Sequence, residues 1–134
     1  MNLTKNIMIL LSVTLIIFAC RDSVNVYDES RNPEYRLAAY NSLTENEKSN
    51  VTSDWENATV TPGVYASSQH GSPAILAEGY PSPITYITPL SRTFAEGTPL
   101  VMVTFNTIDD GLLGPIVIVL LAEDATVIGF FGRI

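Results

Sequence analysis

The sequence predicts an α+β domain in which two N-terminal helices pack on a small antiparallel sheet formed by the C-terminal half. Three observations lead there. Helix-start chemistry occurs twice between residues 32 and 47, each time followed by apolar residues at helical spacing. From Thr59 onward Pro62, Gly63, Gly71, Pro73, Gly79, Pro81, Pro83 and Pro89 cut the chain into short β-prone pieces. The last third either alternates polar with apolar residues or runs wholly apolar, in lengths that suit strands.

The first helix starts at Asn32-Pro33-Glu34, where a capping residue precedes a proline whose missing N–H costs nothing at a first turn and an acid that favours the positive end of the helix. It is expected to run to about Leu43, with Leu37, Tyr40 and Leu43 along one side and Ala38 and Ala39 permitting close approach. Thr44-Glu45-Asn46-Glu47 has the form of a capping box, so a second helix should follow to about Ala58. Val51, Trp55 and Ala58 would form its narrow apolar stripe, and Glu45, Lys48, Asp54 and Glu56 would face water. Trp55 at that spacing reads as the anchor of the helix on the sheet, with a ligand-stacking role as the alternative.

Val60 to Ala66 and Ile84 to Thr88 are strand candidates, and Ser67 to Pro83 reads as a long loop whose one apolar piece is Ala74 to Ala77. Val101, Val103 and Phe105 alternate with Met102, Thr104 and Asn106, the period of a strand buried on one face. Ile116 to Leu121 is apolar throughout, as in a central strand covered on both faces. Ala122 to Ala125 turns the chain into a closing strand, Thr126 to Phe131, and Arg133 ends it with a charge.

The N-terminal segment reads differently. Met1 and Lys5 make a small positive region, Ile7 to Phe18 carries no charge, and the only cysteine of the 134 residues follows Ala19. An apolar run of twelve residues, Ser12 and Thr14 included, falls short of the ~20 that a membrane-crossing helix needs. The order ending Ile17-Phe18-Ala19-Cys20 resembles the lipobox of bacterial lipoproteins. That resemblance implies cleavage after Ala19 and acylation of Cys20, leaving the chain anchored by lipid on the extracytoplasmic face of the cell membrane, or of an outer membrane where the host has one. Residues 1–19 would then be the signal peptide, 20–31 a tether of mixed charge without period, and 32–134 one small domain.

Removing residues 1–19 takes Lys5 away and leaves six basic against fourteen acidic residues, a net charge of −8 on 115 residues. Such a body repels phosphate backbones, so nucleic acid is excluded as a partner and membrane contact falls to the lipid on Cys20. With one cysteine the chain makes no internal disulfide, and stability must come from packing.

The succession of a Trp-bearing helix and then VTFNTIDDGLLGPIVIVLLAEDATVIGFFGR is similar to small exported bacterial proteins and, more distantly, to PepSY-type domains, over residues 42–134. The resemblance implies a non-enzymatic module that restrains or binds a protein at the cell surface, and it carries over no catalytic residue.

Side chains with chemistry are few. His70, the only histidine, lies among Ser67, Ser68 and Ser72, and a triad would further need a carboxylate such as Glu78 or Glu96 to orient the imidazole. No G-x-S-x-G elbow occurs. Asp109-Asp110-Gly111 could gather oxygen ligands for a hard cation, but it lacks the alternating aspartates of a calcium loop and reads as a turn between strands. No metal and no cofactor is expected. Trp55, His70, Asp109 and Asp110 remain as candidate ligand or partner contacts. The expectation is a membrane-anchored surface lipoprotein acting as a non-enzymatic binding or inhibitory module on another envelope protein. The alternative is a small envelope hydrolase using His70 with Ser68 or Ser72.

Overall fold

A computed structural model describes residues 27–68, 71–77, 80–86 and 93–133. They form helices α1 (Asn32–Ser42), α2 (Glu45–Asn50) and α3 (Asp110–Leu113). The strands are β1 (Thr59–Ser67), β2 (Pro73–Ala77), β3 (Tyr80–Pro83), β4 (Thr85–Tyr86), β5 (Pro99–Phe105), β6 (Ile116–Leu121) and β7 (Val127–Phe130). The architecture is mixed α+β, and every strand pairing is antiparallel.

The strand order is β3-β2-β1-β5-β6-β7-β4. Only Ile84 separates β3 from β4, so one extended stretch pairs with β2 through its first half and with β7 through its second. The Ile84 N–H still donates to the Pro73 carbonyl, 3.0 Å away. The two ends of the sheet therefore share one stretch, and the sheet curls on itself, which removes most of its open edge. The curl needs close backbone approach at the seam. A Cβ on Gly129 would lie 2.5 Å from the Thr85 carbonyl oxygen, so only glycine fits where β4 meets β7.

The curled sheet has two apolar faces. Ile75, Ile84, Leu100, Val119, Leu121 and Ile128 meet on the enclosed face. Val101, Val103, Phe105, Ile116, Ile118 and Leu120 line the other face and receive Tyr35, Ala39 and Leu43 from α1 and its end. β6 supplies both clusters, which is why its sequence is apolar without alternation. Each large apolar side chain fully removed from water contributes about 1.5–3 kcal/mol, so these two clusters dominate stability. In the β6–β7 turn Ala125 adopts φ 58°, a conformation that costs an L-residue roughly 1–2 kcal/mol; its buried methyl group, packed in the helix-side cluster, offsets part of that.

Several elements depart from the sequence expectation. One helix, α1, is long enough to pack along the sheet, rather than two. The capping box at Thr44 forms, with Glu47 accepting from the Thr44 N–H at 2.7 Å and Thr44 Oγ1 accepting from the Glu47 N–H at 3.3 Å. Yet α2 stops at Asn50, because the next backbone groups are taken by the end of β5: the Thr52 N–H donates to the Asn106 carbonyl and the Ile108 N–H to the Asn50 carbonyl, both at 3.0 Å. Trp55 then sits on a separate 3-10 turn, Trp55–Asn57.

α1 is also rotated relative to the expected stripe. Leu37 is 45% exposed, while Tyr35 and Ala39 are buried. The Tyr35 hydroxyl donates to the Ala122 carbonyl at 2.8 Å, and this satisfied phenol together with the small Ala39 lets the helix sit close to the sheet.

Within the expected 67–83 loop the chain makes β2 and β3. Ala74 and Ile75 are buried, and Pro81 and Pro83 are tolerated because a strand paired along one edge can lack donors on the other. Tyr27 to Arg31, assigned to the tether from sequence, belong to the body: Tyr27 stacks on Tyr35 at 6.2 Å, and Arg31 donates to the Ala122 and Glu123 carbonyls at 2.8 Å.

Candidate functional site

The described residues offer one end of the molecule as a site, the end where α1 finishes and β6 begins. α1 packs against β5, β6 and β7 and ends at Ser42. This leaves a cleft of about 320 Å³ floored by Leu43, Ile116, Ile118, Phe130 and Phe131, with Ser42, Thr44, Glu47 and Arg133 at its rim. That volume is at the small end for ligand sites, and an apolar floor with a few polar groups at the mouth is their usual composition. Phe130, opposite Ile118 in the β6–β7 register, remains 36% exposed in its wall.

Arg133 ties this cleft to the β5–β6 connection. Its Nε and Nη2 donate to the Gly114 carbonyl at 3.0 and 2.5 Å, and Nη2 donates to Thr107 Oγ1 at 2.6 Å. Thr107, 5% exposed, is the buried polar side chain among the described residues. Its hydroxyl donates in turn to Asp110 Oδ1 at 2.7 Å, and the same carboxylate oxygen accepts from the Thr107 N–H at 2.8 Å. Asp110 and Arg133 face each other at 3.9 Å with the threonine hydroxyl between them. A buried hydroxyl satisfied on both sides by charged groups fixes the geometry of the connection.

What that network holds in place is apolar. Ile108 is 69% exposed, Leu112 81% and Leu113 39%, all on the segment between Thr107 and Gly114. Gly114 turns it back at φ +71°, a conformation suited to glycine, and Pro115 leads into β6. A second, shallower concavity along Leu113, Pro115, Val117 and Phe131 runs beside the tip and shares Arg133 with the cleft.

The candidates named from sequence are scattered. Asp110 braces the tip and Asp109 is exposed on it, at the start of α3. Trp55 is half-buried, stacked on Tyr40 at 5.7 Å, and forms with Pro33, Arg36 and Glu56 a separate hollow of about 230 Å³. His70, Ala19 and Cys20 lie outside the described residues. Near His70 in sequence, Ser68 Oγ accepts from the Ser72 N–H at 3.1 Å, and Ser67 donates both its hydroxyl and its N–H to Glu96. Those bonds hold the Glu96 carboxyl below its usual range. Burial pushes the Tyr35 phenol upward, so it stays a neutral donor to Ala122. Among the described residues no three His, Cys, Asp or Glu side chains gather as a metal site.

The sequence reading missed Arg133, Thr107 and Phe130. Their signal would have been a lone cation beside the end of an apolar strand, which gains meaning only once Gly114 and Thr107 are known to lie against it. In comparisons with known proteins, no family model, no curated protein and no solved structure matches the chain.

Proposed function

We propose that the chain is a bacterial surface lipoprotein, held at the membrane by lipid on Cys20, whose small α+β body binds another component of the cell envelope without catalysing a reaction. The observation that carries this reading is the order of residues from Lys5 to Cys20: a positive start, twelve uncharged and mostly apolar residues, a small residue and the sole cysteine. A thiolate is the strongest nucleophile among side chains, which suits a position that must form a thioether. One acyl chain binds a bilayer only reversibly, so two or three on the same residue would give lasting attachment. The acidic body agrees with a protein partner rather than nucleic acid or an anionic lipid surface. The cleft and the apolar tip beside Arg133 support a binding role.

The test is growth in radiolabelled palmitate, comparing wild type with Cys20→Ala. Label in the wild-type chain, and loss of both label and membrane sedimentation in the variant, is the expected result. An unlabelled wild type, or a variant that still sediments with membranes, removes the anchor. For the binding half, the full chain is compared with one lacking residues 32–134 in capture from envelope extract. Recovery of the same proteins by both removes it.

A further inference from the structure

The first turn of α1 and the 3-10 turn Trp55–Asn57 meet in the hollow of about 230 Å³ lined by Pro33, Arg36, Trp55 and Glu56. Its aromatic wall is set before anything binds. Tyr40 stacks on Trp55 at 5.7 Å with the ring planes 21° apart, and Tyr40 in turn packs at 6.2 Å on Phe105, a buried residue of β5. An indole held from behind in this way loses little freedom when a ligand covers what remains of it. Arg36 is fixed as well. Its Nε donates at 2.7 Å to the carbonyl of Ala58, the residue that follows the turn carrying Trp55.

The polar groups of the hollow are opposite in sign and do not satisfy each other. Among the described residues Glu56 makes no hydrogen bond or ion pair, and Arg36 makes no hydrogen bond beyond the one from Nε. A guanidinium only donates and a carboxylate only accepts, so a ligand that meets both must accept on one side and donate on the other. Charge narrows the choice further. An anion meets Glu56 and an acidic body, a cation meets Arg36, and a wholly apolar molecule strips water from two charges and returns no bond.

We propose that this hollow is a subsite for one neutral sugar ring of an envelope glycan. A pyranose carries C–H hydrogens over one face, whose slight positive charge suits the negative face of an indole, and hydroxyls around its rim that donate and accept at once. With the ring laid against Trp55, neighbouring hydroxyls accept from the terminal amines of Arg36 and donate to the Glu56 carboxylate. The size agrees: sites for drug-sized ligands begin at about 300 Å³, and this hollow, smaller than that, takes a single ring. Pro33 and Glu56 are exposed, so the remainder of a longer glycan can run on into solvent. A free amino acid also carries both signs, but it offers the indole no ring face. The inference goes beyond the protein-binding reading above and rests on neither the lipid anchor nor the cleft.

The test uses the full chain in a sugar-free polyoxyethylene detergent and reads the fluorescence of Trp55, the only tryptophan. The probes are the methyl glycosides of glucose, galactose, mannose and N-acetylglucosamine, with free leucine as the zwitterionic competitor. At least one glycoside is expected to shift the emission saturably with a Kd on the order of 1 mM, the affinity of one ring held by one stack and a few exposed hydrogen bonds. Glu56→Ala removes an exposed side chain without a partner among the described residues, so the urea midpoint should stay in place while the Kd rises about fivefold. Leu112→Asp, on the exposed tip, should leave the Kd unchanged. No saturable response to any glycoside at about 100 mM, far above the expected Kd, overturns the subsite. So does a Kd that Glu56→Ala leaves unaltered or that Leu112→Asp raises as much, or tighter binding of leucine than of every glycoside. A chain that takes up palmitate yet gives no glycoside response removes this inference and leaves the proposed anchor standing; glycoside binding without palmitate uptake does the reverse.

Discussion

Replacing Thr107 by valine tests whether the hydroxyl braces the tip. The change keeps the branched shape and removes one oxygen, which accepts from Arg133 Nη2 at 2.6 Å and donates to Asp110 Oδ1 at 2.7 Å. A hydrogen bond to a charged group is worth about 1.5–3 kcal/mol when nothing replaces it. Here the loss is partial. Water reaches 23% of the Arg133 side chain and 31% of Asp110, Arg133 keeps the Gly114 carbonyl, and Asp110 keeps the Thr107 N–H. About half the nominal sum survives this discount, giving a destabilisation of about 2 kcal/mol. In a domain of this size that lowers the melting temperature by roughly 8 °C. Trp55, the only tryptophan, is stacked on Tyr40 and reports urea unfolding by fluorescence. The midpoint should fall with the slope unchanged. Thr59→Val, at an exposed strand position, serves as control and should change little. Combining Thr107→Val with Arg133→Met should cost less than the two singles together, since both remove one interaction. A Thr107→Val loss below about 0.5 kcal/mol, or strict additivity with Arg133→Met, would show that the connection holds its shape without this hydroxyl.

Two further outcomes follow from the fold. Gly129→Ala should destabilise by about 3 kcal/mol in the same urea assay, because its Cβ would meet the Thr85 backbone oxygen at 2.5 Å at the seam. Gly111→Ala, in open space within α3, should be neutral or stabilise by about 0.5–1 kcal/mol; equal effects at the two sites would refute a tight seam. Acid should weaken the body. Glu34 is held below its usual 4.5 first by its hydrogen bond from Arg31, Glu96 below 4.5 by Ser67, and Asp28 below 3.8 by Ser30. Carboxyls depressed in the folded state contribute stability that is present above their unfolded values and is lost as pH falls through the folded ones. The melting temperature should therefore be flat from pH 7 to 5, within about a degree, and fall below about pH 4.5, less steeply in Glu34→Gln; a fall that begins near pH 6 would point to another group.

Local chemistry alone determined where several elements lie. The capping box at Thr44 and Glu47, the start of α1 around Pro33, the alternation in β5 and the unbroken apolar run of β6 each encode their element within a few residues, because propensity, capping and burial pattern act at short range. The end of α2 could not be read that way. Whether Val51 and Thr52 continue a helix or bond to the end of β5 depends on a strand more than fifty residues later being alongside. The same holds for β3 and β4: prolines spaced as in a loop become strand residues only because β2 and β7 lie on either side of one stretch.

The candidate site was the least legible part. Asp109 and Asp110 drew notice as a possible cation loop, whereas Asp110 spends its carboxylate on Thr107, and the cleft is built from Leu43, Ile118, Phe130 and Arg133, four residues unremarkable in their own neighbourhoods. The amino-acid order by itself determined the composition of both faces of β6, the acidic balance and the lone cysteine after an apolar run. The tertiary structure alone decided that the sheet closes through Ile84, that α1 turns Tyr35 rather than Leu37 inward, and that Arg133 reaches back to Gly114. The physical reason is that burial of a pattern can be satisfied by many partners, and only the curl of the sheet selects which one is within reach.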